Sequence, residues 1–368
     1  MSLLKIAINT IVDYSNYGNR LQNYAMQVIL EQLGHDVVTL DTKINYVPDN
    51  KSKFSKILHL IISGQIMHKV LLRKYNKLRK SGFRQFSKQY IKESSFRVSK
   101  DTTDFSFDSD IDCYVVGSDQ VWNYSFSRFS SRDFISYSEK PRISYAASFG
   151  VSSIPDDLKL IYTDGLKSFN SLSVRERAGV NIIEDLCQRH AELVLDPTLL
   201  ISQKVWKNLI SERKKYKKKY ALVYFLGDIS KKDRDYIKLI TKESNLEVKQ
   251  LGYEKDYNLW TADPIEFVNL FSQAELVFTD SFHACVFSIV FKKNFEVFKR
   301  QFDGPSMNSR IETLLSDFKL NNQWHMDTKN REIINYEEVD SILQEKRERS
   351  LNYLSTALND IQKGLINE

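Results

Sequence analysis

The stretch VFTDSFHACVFSIVF, residues 277 to 291, interrupts an apolar run with Thr279, Asp280, Ser281 and His283 before apolar character resumes. AELVF reads as a buried strand, and FHACVFSIVF repeats apolar residues at helical spacing, so Thr279, Asp280 and Ser281 form the turn between them. His283 then falls in the first helical turn, with Asp280 or Ser281 as the cap. An imidazole there, ordinarily titrating at about 6.5, can exchange protons near neutral pH, and a helix N-terminus lowers that value. A satisfied structural histidine is the bland alternative. The strand-end position and the lack of another cleft histidine favour acid and base chemistry.

Three further stretches place uncommon polar residues just after apolar runs. SVRERAG (173 to 179) sets Arg175 and Arg177 beyond a strand. If a helix begins by Glu176, only one of them enters a cleft, and Arg175, nearest the strand end, is the better candidate for a carboxylate or phosphate; a surface ion pair is the alternative. DYSNYGNRLQNYAMQ (13 to 27) places Asn16, Gly18 and Asn19 at a strand-to-helix turn, where backbone N–H groups favour an anion and Gly18 lets a ligand come close. Ordinary Asn capping is the competing reading, and one glycine makes neither a GxGxxG nor a P-loop. In VVGSDQVWN (115 to 123), Gly117 and Ser118 allow a tight turn, Asp119 and Gln120 can grip hydroxyls, and Trp122 offers a face for a sugar ring. Against this, Ser118 and Asp119 could cap a helix while Trp122 fills the core.

These stretches require elements that position them. LLKIAIN (3 to 9), HDVVTLD (35 to 41), IDCYVVGSD (111 to 119), RISYAAS (142 to 148), SLSVRE (171 to 176) and ELVLDP (192 to 197) are short apolar or β-branched runs. After the charged ERKKYKKK (212 to 219), KYALVYFLGD (219 to 228), LEVKQLGY (246 to 253), AELVFTDS (274 to 281) and FEVFK (295 to 299) repeat the pattern. Such runs, separated by helical periods, predict an α/β protein with two Rossmann-like, doubly wound domains facing a cleft. The expected division is residues 1–211, with a basic helical insertion at about 51–100, then 212–335, then a C-terminal helix at 336–368 that packs back on the first domain. Ligands of open parallel sheets bind beyond the strands' carboxyl ends, where the polar stretches fall.

Bulk properties narrow the function. A length of 368 residues suits two domains of roughly 150 to 200 residues each. Cys113, Cys187 and Cys285 lie far apart, with no CxxC pair, which predicts a reducing compartment and no structural zinc. Asp13 breaks the first apolar run early, and no stretch reaches the 18 or so apolar residues of a spanning helix, so a cytoplasmic location is expected. Residues 51 to 100 carry fourteen Lys or Arg against Glu93 alone, so within a net charge of +6 the rest of the chain is net acidic. FSKILHLIISGQIMHKVLLRKY suits a helix lying on the anionic inner face of a membrane, or equally a solvated face packed on its own domain. No aromatic and basic interleaving of a nucleic-acid module is present, so no nucleic acid is expected.

Taken together, NYGNRLQNYA (16 to 25), DCYVVGSDQVWN (112 to 123), ISYAASFG (143 to 150), SVRE (173 to 176), LVLDPTLL (193 to 200), VFTDSFHA (277 to 284) and SRIETLL (309 to 315) resemble the polysaccharide pyruvyl transferase family, in the family's order. The resemblance implies a fold similar to the two-domain glycosyltransferases (GT-B-like). It also implies transfer of pyruvate from phosphoenolpyruvate to a sugar, or a lipid-linked oligosaccharide, of a bacterial surface polysaccharide, forming a ketal and releasing phosphate. His283 matches the family's active-site histidine and Arg175 a donor-binding arginine. Ser281 departs from the pattern, which carries Arg at that position, so Arg310 or Arg300 is the expected replacement, Arg310 being better placed beside a helix. On this reading Arg175, Arg310, Ser281, Asn16, Gly18 and Asn19 face the donor, and Ser118, Asp119, Gln120 and Trp122 the acceptor. No metal and no cofactor beyond the donor substrate is implied. The alternatives are a nucleotide-sugar-dependent glycosyltransferase, which the same architecture supports, and a catalytically silent glycan-binding member.

Overall fold

A computed structural model describes residues 3–42, 66–300, 308–326 and 333–367. The expected membrane-lying segment falls mostly outside them. The first half is built from β1 (Lys5–Asn9), α1 (Tyr17–Gln32), β2 (Asp36–Asp41), α2 (Ile66–Tyr90), β3 (Glu93–Arg97), β4 (Cys113–Val116) and β5 (Arg142–Ser144). Its five strands pair in parallel in the order β3-β2-β1-β4-β5. After α3 (Lys159–Lys167), β6 (Ser173–Val174), α4 (Arg177–Cys187) and β7 (Glu192–Leu193) continue this edge, since Ile143 bridges Ser171 and Ala147 bridges Val174. The second half comprises β8 (Tyr220–Tyr224), α5 (Lys231–Glu243), β9 (Glu247–Leu251), α6 (Pro264–Gln273), β10 (Leu276–Thr279), α7 (Phe282–Val290) and β11 (Asn294–Val297), with the parallel order β11-β10-β8-β9. The two doubly wound halves expected from the apolar runs are present.

Each sheet reverses its winding once, between β1 and β4 in the first half and between β8 and β10 in the second. At such a switch point neighbouring loops diverge and leave a crevice beyond the strand ends. Local sequence fixes where those loops turn. Asn16 caps α1 by accepting the Asn19 N–H, and Gly34, at φ +89°, ends the turn after that helix. Every residue of α7 is buried, as expected for an apolar helix covered on all sides. After α8 (Ser309–Asp317), the long α9 (Tyr336–Asn367) crosses back to the first half: Tyr353 Oη donates to the Ser144 carbonyl at 2.9 Å, and Arg347 donates to that of Leu199 at 2.6 Å.

One hydrophobic cluster runs through both halves, from Tyr17, Leu21 and Phe83 to Phe267, Phe287 and Trp206. Tyr17 stacks on Phe267 with centroids 4.7 Å apart, and its hydroxyl donates to the Ala262 carbonyl at 2.9 Å. Arg79 of α2 reinforces this seam: Nη1 donates to Tyr17 Oη (2.6 Å) and the Trp260 carbonyl (2.8 Å), and Nη2 to the Ser15 carbonyl (3.1 Å). Its guanidinium also lies over the rings of Tyr17, Phe83 and Trp260. Part of the basic stretch is therefore a brace between halves and not a solvated face. Replacing Arg79 with Met removes three hydrogen bonds from a charged donor, and chemical denaturation should show a loss of about 3 kcal/mol; a loss under about 0.5 kcal/mol would mean that the seam holds without it.

Candidate active site

The two switch points face each other across a small enclosed chamber of about 50 Å³. Asn16, Gly18, Asp119 and Gln120 line it from the first half, and Tyr224, Leu226, Ser281, Phe282, His283, Arg300 and Arg310 from the second. Behind it lies a buried charge cluster. Arg175 donates from Nη1 to Asp196 Oδ2 (2.6 Å) and Ser118 Oγ (3.2 Å), and from Nη2 to Asp119 Oδ1 (3.1 Å). Its guanidinium lies 4.7 Å from the Phe282 ring centre. Asn19 Nδ2 donates to the other oxygen of Asp119 at 3.0 Å, and Thr198 donates its N–H and hydroxyl to Asp196 Oδ1. Burial alone would raise both carboxyl pKa values, but Arg175 and then His283 more than offset it and hold them below the usual range.

His283 stands at the chamber wall, 8% exposed. Its Nε2 is 3.9 Å from Asp196 Oδ2 and has no hydrogen-bond partner among the described residues. Burial is the main cause pushing its pKa down to about 4; Asp196 opposes this and Arg175 adds to it. The resting imidazole is therefore neutral, with a lone pair or proton to offer at the chamber. The ring also rests on Gly18, where an added Cβ would come within 2.0 Å of Nδ1. Arg310, in the first turn of α8, is buried with its Nε unpartnered among the described residues, and burial followed by repulsion from Arg175 lowers its pKa to about 10, still fully charged at neutral pH.

Asp280 arranges the second half's side of the chamber. Its carboxylate accepts the N–H groups of Leu226 (2.7 Å) and Gly227 (2.9 Å), tying the loop after β8 to the loop after β10, and it accepts from Arg300 Nε at 3.0 Å. Thr279 Oγ1 accepts the Ser281 N–H at 3.0 Å and donates to the Tyr224 carbonyl at 2.6 Å. The chamber thus unites a neutral imidazole, an unsaturated guanidinium and a second cation held by its own carboxylate, a set suited to proton transfer on an anionic substrate.

A family model described as polysaccharide pyruvyl transferase matches residues 16–299. The chain belongs to the polysaccharide pyruvyl transferase family. It is accordingly a transferase. Comparison with curated proteins finds no match. Among solved structures, the chain is similar to a glycosyltransferase from Rickettsia africae (11% identity, all of both chains covered at 100%, TM-score 0.49). It is also similar to the S. aureus MnaA–UDP co-structure (10% identity, 96% of this chain and 91% of that one, TM-score 0.48). A third is the UDP-GlcNAc 2-epimerase from Neisseria meningitidis bound to UDP-GlcNAc (10% identity, 99% and 100%, TM-score 0.45).

In this pyruvyl transferase family member, the chamber brings together His283, Arg310, Ser281, Asn16, Gly18, Asp119 and Gln120 from the residues singled out in the sequence. Others are placed differently. Trp122 is fully buried, packed on Phe134, Phe149 and Phe169 with its indole N–H donating to the Asp133 carbonyl, so it is core and not a sugar platform. Ser118 is likewise buried and donates to Asp196 at 2.8 Å; it orients a carboxylate and is not among the residues that line the chamber. Arg175 does enter the interior while Arg177 stays outside on Asp317, but its guanidinium is engaged by two carboxylates behind the chamber wall. Asn19 holds Asp119, and the space that Gly18 opens is filled by His283 instead of a ligand. Ser281 is the N-cap residue by position, without a side-chain cap bond, and Asp280 is spent on the loop tie. Asp196 and Phe282 were the partners that the sequence did not mark, and Asp280, expected as a cap, ties two loops instead; the one signal for Asp196 was its place after an apolar run and before Pro197.

The His283 environment dictates a pH dependence of stability. The folded protein keeps His283 neutral down to about pH 4, whereas the unfolded chain protonates it near 6.5. Between those values the unfolded state binds more protons, so stability falls as pH drops through this window and is unaffected by this group above it. Denaturant titrations should show that lowering the pH from 7 to 4 costs the native protein up to ~3 kcal/mol more than it costs His283→Gln. Parallel profiles for the two proteins would contradict the neutral, buried assignment.

Proposed function

We propose that the protein transfers the pyruvyl group of phosphoenolpyruvate onto a sugar of a bacterial surface polysaccharide or its lipid-linked precursor, forming a cyclic ketal and releasing phosphate. The observation that carries this reading is the pairing, in one enclosed chamber, of the neutral His283 with the unsaturated Arg310. An enol phosphate with a carboxylate needs a cation and a proton shuttle at the same carbon. The resting cluster sets Arg175, Arg300 and Arg310 against Asp119, Asp196 and Asp280, and Arg310 is the one of these three arginines that no carboxylate among the described residues holds by a direct ion pair. Arg310 therefore takes the donor's anionic groups, with Arg300 beside it, in place of the arginine that the family pattern carries at position 281.

In the reaction, a sugar hydroxyl attacks the donor carbon bearing the phosphate. His283 Nε2 accepts that hydroxyl's proton, the resulting imidazolium is stabilised by Asp196, and the same proton is delivered to the methylene carbon, which becomes the methyl group. A second hydroxyl of the sugar then displaces the phosphate, whose leaving oxygen takes the second proton, and the ketal ring closes. Asp119 and Gln120, lining both the chamber and the wider cleft beside it, hold the acceptor hydroxyls. Asn16 borders the same opening.

The test incubates purified protein with phosphoenolpyruvate and candidate neutral and lipid-linked saccharides, following phosphate release and the mass gain of one pyruvyl ketal on the glycan. His283→Ala should lower kcat at least ~100-fold, the scale of a lost general acid and base. Arg310→Gln should raise the donor KM at least ~10-fold, the cost of one charge-assisted hydrogen bond to an anion. Phosphate release that survives His283→Ala would overturn the shuttle; turnover of a nucleotide sugar, with none of phosphoenolpyruvate, would overturn the reaction. Gly18→Ala, which drives a Cβ into the imidazole, should lower kcat while leaving the donor KM within about twofold.

A further inference from the structure

Beside the chamber, and sharing Asn16, Asp119 and Gln120 with it, opens a wide cleft of about 1080 Å³ in the first half. Among the described residues, four cations border it, Lys80 and Arg84 on α2, Arg97 at the end of β3 and Arg128, against two acids, Asp13 and Asp119. Asp119 is neutralised by Arg175, and the Asp13 carboxylate accepts the Ser15 N–H and hydroxyl at 2.8 and 2.6 Å. Lys80 and Arg84 are exposed and form no ion pair with any described residue; Arg84 lies over the Tyr14 ring. Arg128 differs in kind. Its side chain is 8% exposed, one terminal nitrogen is bound to Asp133, and Nε and Nη1 are buried with no partner among the described residues. A buried guanidinium with two unsatisfied donors costs stability unless something accepts from it.

We propose that this cleft is an anion site for the acceptor, and that the acceptor is a saccharide carrying a phosphate group. The proposal rests on the pyruvyl transfer reading for the identity of the acceptor, but the anion site stands on its own residues. A sugar presenting hydroxyls to Asp119 and Gln120 at the chamber mouth extends its remaining substituent into the cleft. There Lys80 and Arg84 approach from α2 and Arg128 from the loop after β4. Cations arriving from several directions match the oxygens of a phosphate or diphosphate, whereas a lone carboxylate is satisfied by a single fork. The basic stretch thus gains a role that its charge count alone does not specify: its α2 portion supplies one wall of a substrate cleft.

The test measures binding of inorganic pyrophosphate to the full chain by calorimetry, in the native protein and in a Lys80→Gln/Arg84→Gln double variant whose exposed positions leave the fold intact, as checked by its melting curve. Affinity should fall at least ~10-fold in the double variant and weaken steeply with salt in the native protein. Galactose 1-phosphate should displace pyrophosphate, and galactose and galacturonate should not. Unchanged affinity in the double variant overturns the site; displacement by galacturonate as effective as by the phosphate overturns the phosphate assignment. In turnover, a phosphorylated saccharide should have a KM at least ~10-fold below its neutral counterpart, and this advantage should vanish in the double variant. Pyrophosphate binding as described, with no ketal formed on any acceptor, would leave the anion site standing and remove the pyruvyl transfer reading.

Discussion

The Arg175 guanidinium between Asp119 and Asp196 is the constraint on which the rest of the site depends. All three groups are buried, and taking a charge out of water is costly unless opposite charges and hydrogen bonds replace the solvent. Here they do: Ser118 and Asp196 take one terminal nitrogen, Asp119 the other, and Asn19 and Thr198 occupy remaining carboxylate oxygens. Asp119 follows β4, Arg175 follows β6 and Asp196 follows β7, so one cation ties three strand ends of the first half together. Asp196 is also the group that would steady a protonated His283 from the opposite half. Removing Arg175 would leave two carboxylates uncompensated in the interior, a far larger penalty than losing any exposed ion pair.

The second requirement is steric. His283 reaches the first half because α7 starts at the switch point of the second sheet and because α1 offers Gly18 where the ring must lie. The loop contacts of Asp280 and Thr279 fix the start of α7, and the shared apolar core around Tyr17 fixes how far apart the two halves can be. An imidazole held between two domains in this way is positioned by packing as much as by hydrogen bonds, which is consistent with a buried ring whose Nε2 has no hydrogen-bond partner among the described residues.

Much of this was legible in the sequence. Short apolar runs followed by polar turns gave the strand ends, and Asp119, Gln120 and His283, read from those ends, line one chamber together with Arg310, which the resemblance suggested. The choice of Arg175 over Arg177 also followed from where the helix begins, since α4 starts at Arg177. Other features depend on three dimensions. Trp122 and Gln120 are two residues apart in one polar-looking loop, yet one points into an aromatic core and the other into the chamber. Gly18 reads as space for a ligand because a sequence does not show that a histidine 265 positions later fills it. The edge strand β3, ESSFR, escapes hydrophobic periodicity because most of its side chains are partly or fully exposed.

The departure at Ser281 illustrates why a site is better read as a sum of charges than as a string of positions. A guanidinium at residue 281 would project from the cap of α7 into a chamber that already holds Arg300 and Arg310. Those two arrive from β11's exit and from the first turn of α8, segments far from the turn in sequence but at its wall in the fold. With Arg310 already lowered by burial and by Arg175, a third cation facing the same space would add repulsion that only a further anion could relieve. A small hydroxyl at position 281 is therefore the residue compatible with the two cations, Arg300 and Arg310, that other segments bring to the same wall.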